Sequence, residues 1–173
     1  MSTFRLLTDH LELRPLPLGA AAALPDNRDE ASRLLGAQLD AEWPEAGLVR
    51  VIGRHAELTS ETERFGIWVM IERESAIVVG DIGFHGPPDE AGTIEVGYSV
   101  VSSRRRRGYA TEAASALVEW AYDQPAIETV VAGCALENEP SVRTLERVGF
   151  QRTGEVNGEL RWRHVRNTTD KPR

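Results

Sequence analysis

A single cysteine, Cys134, stands among the 173 residues, so no intrachain disulfide can close, and one thiol without a second cysteine argues against a zinc site or a redox pair. A reducing, cytoplasmic compartment fits that usage best. Aromatic residues make up only 6%, and no apolar run is long enough to span a bilayer. The stretch from Met1 to Pro15 mixes acidic and basic residues without an apolar centre, which is not how a secretory leader reads. A basic excess is missing as well: 20 Lys and Arg against 27 Asp and Glu leave a net charge of −7. That balance argues against a general nucleic-acid binder and leaves open an attraction for cationic ligands. No internal repeat and no Gly/Ser-rich or Pro-rich linker divides the chain. Neither a Gly-Lys-Ser/Thr phosphate loop nor a GxGxxG fingerprint occurs. What is present, 41% hydrophobic and 27% charged residues, is the composition of one globular domain over 1–166 with a polar, fraying tail over 167–173. A chain of this length buries roughly 70% of its unfolded surface without staples.

The pattern predicts a short half-buried strand over His10 to Leu16, stopped by Pro15 and Pro17, then two short helices between about Leu18 and Leu39, broken near Pro25 and Gly36. Two strand-like runs, FGIWVMIER and AIVVGDIGFHG, a turn cluster GPPDEAG and a third run, TIEVGYSVV, read as an antiparallel meander. From Tyr109 to Asp123, Ala110, Ala113, Ala114, Leu117, Val118 and Ala121 share one helical face, with Glu112, Ser115, Glu119 and Asp123 opposite. A β-branched strand, ETVVAGCAL, follows. Next comes a helix with Pro140 in its first turn and Gly149 at its end. Asn157-Gly158 marks a terminal hairpin, because both central positions of that turn need positive φ.

Four consecutive arginines, Arg104 to Arg107, immediately precede Gly108 and the amino end of the Tyr109 helix. The helix macrodipole makes cations there unfavourable by roughly 0.3–1 kcal/mol each. Something negative should offset them. Free N–H groups at a helix start, a glycine that lets backbone approach closely and guanidinium forks describe a cradle for a phosphate or diphosphate. A solvated basic loop, or a weak nucleic-acid patch, is the plainer reading of the same residues.

The segment Arg105-Arg106-Arg107-Gly108-Tyr109-Ala110, continued by Thr111-Glu112-Ala113, resembles the Arg/Gln-x-x-Gly-x-Gly/Ala signature of the GNAT superfamily of N-acetyltransferases, and its RimJ/RimL-like branch. LELRPL, IEVGYSV and ENEPSVRTLERVGF occur in the matching order. The resemblance implies an α+β fold: a splayed, mixed, mostly antiparallel sheet flanked by helices, with acetyl-CoA as co-substrate in the gap. It places the diphosphate on the amides of Arg107, Gly108, Tyr109, Ala110 and Thr111, with Arg105 and Arg106 nearby, and pairs the pantetheine arm with backbone around Val100 and Val101. It implies acetyl transfer to a primary amine, either a protein α-amino group or a small amine, within a ternary complex and without a metal. A homodimer is common among such proteins. A fold relative that binds acyl-CoA without turnover remains a competing reading.

Amide formation from an amine and a thioester needs a neutral amine and a proton for the departing thiolate. Glu95, an acid inside an apolar strand, is the candidate base, since the resembling family often carries a glutamate there. An exposed position, sharing strand parity with Ser99, explains it equally simply. His85 is the second candidate. Asn138 and Ser141 suit helix caps. The resemblance adds that Asn138 contacts the pantetheine and that Ser141 protonates the thiolate, Leu145 standing where other family members carry a tyrosine. Cys134, inside a β-branched run, reads as a small core residue. The acidic stretch from Asp40 to Glu63 would suit a cationic acceptor, or be a solvated face.

Overall fold

The computed structural model describes residues 4–166, so the tail expected to fray, 167–173, lies outside the described residues. In chain order they form β1 (Leu6–Leu7), β2 (Leu11–Pro15), α1 (Leu18–Ala23), α2 (Arg28–Leu35), β3 (Gln38–Leu39), α3 (Ala46–Ala56), β4 (Ile67–Glu72), β5 (Ile77–Phe84) and β6 (Thr93–Val100). After these come α4 (Tyr109–Tyr122), β7 (Thr129–Ala135), α5 (Glu139–Val148), β8 (Phe150–Val156) and β9 (Glu159–His164). The sheet runs β1-β2-β4-β5-β6-β7-β9-β8, with β3 beside β5. Only β6 with β7 and β3 with β5 pair in parallel, so the sheet is mixed and mostly antiparallel, and the fold is α+β as expected.

Local chemistry explains the boundaries. The Asn27 side chain accepts the Glu30 N–H at 3.0 Å to start α2, and Gly36 at φ +72° ends it. α5 starts on the Asn138 cap, with Pro140 in its first turn, and stops at Gly149, φ +105°. The closing hairpin turns at Asn157 and Gly158, φ +52° and +80°, the left-handed pair that its sequence requires. The sequence pattern misses the short strands β1 and β3, the latter lying where the second helix is expected to end, and it misses α3. Leu48, Ile52 and His55 are its buried stripe, but two glycines and three β-branched residues dilute its propensity within an acidic stretch.

α4 lies on one face of the sheet. Its Ala113, Ala114, Leu117 and Ala121 are fully buried, and Trp120 packs edge-on against Trp68 of β4 at 5.2 Å. The other face carries Val69, Asp81, Gly83, Glu95, Gly97 and Ser99, residues that register pairing and strand parity place together, and α3 covers part of it. His55 of α3 is locked there. The Ile67 N–H donates to its Nδ1 at 2.9 Å, so Nε2 carries the proton and donates to the Leu16 carbonyl at 2.7 Å. Burial lowers its proton affinity, which keeps the ring neutral.

The parallel ladder between β6 and β7 is short. It runs from Thr93 opposite Thr129 to Val96 opposite Ala132 and then ends. β6 continues along β5 to Val100 opposite Gly80, and β7 continues along β9 to Ala135 opposite Glu159. The sheet splits open between them.

Candidate active site

The loop before α4 is shaped by two left-handed residues, Arg106 at φ +63° and Gly108 at φ +79°. Gly108 is the N-cap and supplies no side-chain cap. The Glu112 N–H takes the Gly108 carbonyl, while the six N–H groups from Arg106 to Thr111 have no acceptor among the described residues. Consecutive unpaired N–H groups at a helix start form a concave, positively polarised site for an anion. A Cβ built on Gly108 would stand in open space.

The arginines that drew attention to the loop divide their work differently from the sequence expectation. Glu72, at the end of β4 and 5% exposed, accepts from the Tyr109 hydroxyl at 2.6 Å, the Ser75 hydroxyl at 2.5 Å and Arg104 Nη1 at 2.8 Å, with Arg107 Nη1 at 3.3 Å. Burial alone would raise its carboxyl, but the Ser75 and Tyr109 hydrogen bonds and the two guanidinium charges outweigh it and hold the group below the usual range. Arg105 donates from Nε to the Val100 carbonyl and from Nη2 to Glu45, both at 2.8 Å. Only Arg106 has no ion-pair partner among the described residues. The charge at the helix tip is therefore offset in part from within, by Glu72 and Glu45. Glu112 adds to this from the first turn of α4, where it accepts the His10 N–H at 2.7 Å and the Thr8 hydroxyl.

In the split of the sheet, the Val101 N–H donates to the Val79 carbonyl, and its own carbonyl accepts the Arg104 N–H, both at 3.0 Å. Both main-chain groups of Val101 are thus already engaged within the fold. The antiparallel ladder alternates, so Tyr98 and Val100 turn their N–H and carbonyl groups away from β5, toward the gap, where the Val100 carbonyl already accepts Arg105 Nε. The Tyr98 side chain also reaches α5, where its hydroxyl and Ser141 Oγ share a hydrogen bond at 2.9 Å. Asn138 accepts the Ser141 N–H at 3.2 Å through Oδ1, a capping bond. Cys134 is buried on β7, as a small core residue would be.

On the opposite face, a cavity of about 690 Å³ runs between α3 and the centres of β5 and β6. Leu48, Val51, Leu58 and Ile67 give it apolar walls, and Glu45, Asp81 and His85 reach it as well. Glu95 lies beside it, bound to Arg161 at 3.0 Å with His85 Nδ1 at 3.7 Å. The hydrogen bonds from these two neighbours, His85 first, together with the Arg161 charge, outweigh partial burial and pull its carboxyl down to about 2.

A family model described as the acetyltransferase (GNAT) domain matches residues 10–151. The chain belongs to the GNAT acetyltransferase family. It is 32% identical over 148 residues to the uncharacterized N-acetyltransferase YjdG of Bacillus subtilis, covering 84% of this chain and 88% of that one. In fold it is similar to the ribosomal-protein-S5-alanine acetyltransferase of Vibrio fischeri, with a TM-score of 0.65 at 15% identity over 98% of this chain and 100% of that one. It is also similar to the microcin self-immunity acetyltransferase MccE, solved with acetyl-CoA and AMP, with a TM-score of 0.62 at 20% identity over 91% and 93%. The protein is an N-acetyltransferase.

Within this GNAT enzyme, the structure brings together the N–H groups of Arg106, Arg107, Gly108, Tyr109, Ala110 and Thr111 on one side of the gap. Ser141 and Asn138 stand at the start of α5 on the other. The Arg105, Arg107 and Tyr109 side chains serve internal contacts. Glu95 stands on the far face, beside His85. Three residues that the sequence pattern does not single out join this arrangement: Glu72 beneath the loop, Tyr98 beside Ser141 and Asp81 in the cavity. Only Asp81 carried a usable signal, an acid inside an apolar strand, the same signal that drew attention to Glu95.

Proposed function

We propose that the protein transfers the acetyl group of acetyl-CoA directly to a primary amine, in a ternary complex assembled across the split sheet. The reading is carried by the row of six unpaired N–H groups at the Gly108 turn, which fits a diphosphate. When bound, acetyl-CoA supplies the activated acetyl thioester. Arg106 lies within this loop without an ion-pair partner among the described residues, and the Tyr98 main-chain groups and the Val100 N–H that face the gap suit an extended amide arm. Ser141 delivers a proton to the leaving thiolate, and the Tyr98 hydroxyl orients it through their shared hydrogen bond. Asn138 keeps the first turn of α5, and hence Ser141, in place.

The acceptor is a protein α-amino group or a small amine, held in the cavity behind β5 and β6. Glu95 and His85 line up beside that cavity as a pair; with its carboxyl near 2, Glu95 suits orienting His85 and an incoming cation better than retaining a proton. The motif around Gly108 and Ser141 supports a RimJ/RimL-like enzyme, and the single cysteine suits a cytoplasmic one.

Parallel calorimetric titrations with CoA, dephospho-CoA and duplex DNA at two salt concentrations test the cofactor reading. Tight CoA binding with negligible DNA binding is expected, and the reverse order would overturn it. Thiol release from acetyl-CoA over a panel of amines and amino-terminal peptides then separates a catalyst from a non-catalytic binder. Ser141→Ala should lower kcat by about 10²-fold while leaving CoA affinity within twofold. An unchanged kcat would remove Ser141 from the proton path.

A further inference from the structure

Asp81 sits in the middle of β5 at 6% exposure. The Trp43 indole N–H and the Ser99 hydroxyl converge on its Oδ2, each at 2.9 Å. Its other oxygen, Oδ1, accepts no hydrogen bond among the described residues, and the residue lines the cavity. Buried carboxylates are normally paired with a cation. The charged groups around this one are committed elsewhere or stand apart. Glu45, at the start of α3, is bound to Arg105, and His55 is neutral between two backbone groups. Arg54 of α3 and Glu57 just after it line the cavity, and Arg54 forms no ion pair with Asp81 among the described residues. His85, just past the end of β5, lies against Glu95, and β4 presents apolar Val69 opposite Asp81.

We infer that Asp81 receives the ammonium group of the acceptor and takes a proton from it, so that the cavity's substrate class is a primary amine carried on an apolar body. The inference rests on the acetyl-transfer reading above and names a residue for it. Leu48, Val51, Leu58 and Ile67 supply the apolar surface for that body. The proton passes from the ammonium to Oδ1. The freed lone pair forms the bond to the thioester's carbonyl carbon, and the carbon–sulfur bond breaks. The second surplus proton of the nitrogen reaches the sulfur by way of Ser141. The products are the amide, the thiol and one proton on Asp81, which leaves to cavity water. Burial, opposed by the Trp43 and Ser99 hydrogen bonds, pushes the Asp81 carboxyl up to about 6, suited to accepting and releasing a proton near neutrality.

The test uses the full chain with acetyl-CoA, with hexylamine and a tetrapeptide with a free amino terminus as acceptors, since both sources share the ammonium. In the wild type, kcat/KM should rise with pH and level off above about 6, where Asp81 is ionised. Asp81→Asn keeps an acceptor for Trp43 and Ser99, so the fold is retained. It should lose about 10²-fold in kcat/KM at pH 7 and show no plateau, because only amine already neutral in solution reacts. Ser99→Ala removes a hydrogen bond to the charged form and should move the plateau to higher pH. Glu95→Gln should lower kcat/KM without moving the pH at which the plateau begins. Calorimetry on the CoA complex supplies a readout free of turnover: hexylamine should bind the wild type and bind Asp81→Asn at least tenfold more weakly. Equal amine binding by the two proteins, or a plateau that survives Asp81→Asn, overturns the assignment. If neither acceptor releases thiol from the wild type, the acetyl-transfer reading for these amines fails. The calorimetric comparison then still decides whether Asp81 holds an ammonium.

Discussion

Replacing Glu72 by alanine is expected to destabilise the protein by about 3 kcal/mol, a drop in Tm of roughly 6–12 °C for a domain of this size. The carboxylate is the common acceptor for a buried tyrosine hydroxyl, a serine hydroxyl and two arginines. Its removal leaves the Tyr109 hydroxyl without a partner in a site that is 7% exposed. Arg104, whose side chain is 23% exposed, is left with only Asp40 at 3.9 Å. Arg107 is half exposed and finds water, so it adds little. Glu72→Gln keeps an acceptor and loses the charge, and should fall between the two. The folded state holds this carboxyl below its ordinary 4.5, so its contribution is complete above that pH and fades as acid protonates it. The gap in Tm between the wild type and Glu72→Ala should accordingly narrow on acidification below about pH 4.5. Equal Tm values at pH 7 would show that the loop stands without this anchor.

The second large effect belongs to Gly108→Val, which should weaken CoA binding by more than about tenfold, or 1.4 kcal/mol. Two contributions act together. At φ +79° a side-chain-bearing residue costs roughly 1–2 kcal/mol, and a β-branched one sits at the upper end. Since a Cβ there meets no protein atom within 4 Å, the new side chain does not clash internally, and any loss beyond the backbone cost would come from its bulk beside the bound phosphates. Gly108→Asn separates the two, because asparagine tolerates the left-handed conformation. A variant that keeps its Tm yet still binds CoA poorly would assign the loss to occlusion. Wild-type affinity in Gly108→Val would show that the phosphate groups bind elsewhere.

Much of this architecture is legible in the sequence because the decisive patterns are local. The meander, α4, α5 with its Asn138 and Gly149 ends and the Asn157-Gly158 turn depend on periodicity, capping and turn chemistry within a few residues of one another. α3 escaped because its buried stripe of Leu48, Ile52 and His55 is interrupted by glycine and lies in an acidic stretch. The site is only half legible. The Gly108 loop announces itself as a helix start with misplaced cations, but the partners of those cations, Glu72 at 32 and 35 residues' distance and Glu45 at 60, are brought in by the sheet and by α3. An acid at the end of a strand looks like any solvated turn residue until the chain folds over it. Glu95 and Asp81 look alike in sequence, each a lone acid in an apolar strand. The structure separates them by their neighbours, with a histidine and a guanidinium beside one and two neutral donors on one oxygen of the other.

Only four residue pairs stitch β6 to β7 before the sheet divides. The two wings of the molecule therefore share little main-chain bonding, and α4, which touches β2, β5, β6 and β7, is the splint laid across them. Its seat is built from alanines at 113, 114 and 121, each fully enclosed, which let the helix axis press close to both wings. Bulk introduced at this seam would act as a wedge beneath the splint and change the angle between the wings, and with it the width of the crevice, well away from any residue that touches a substrate.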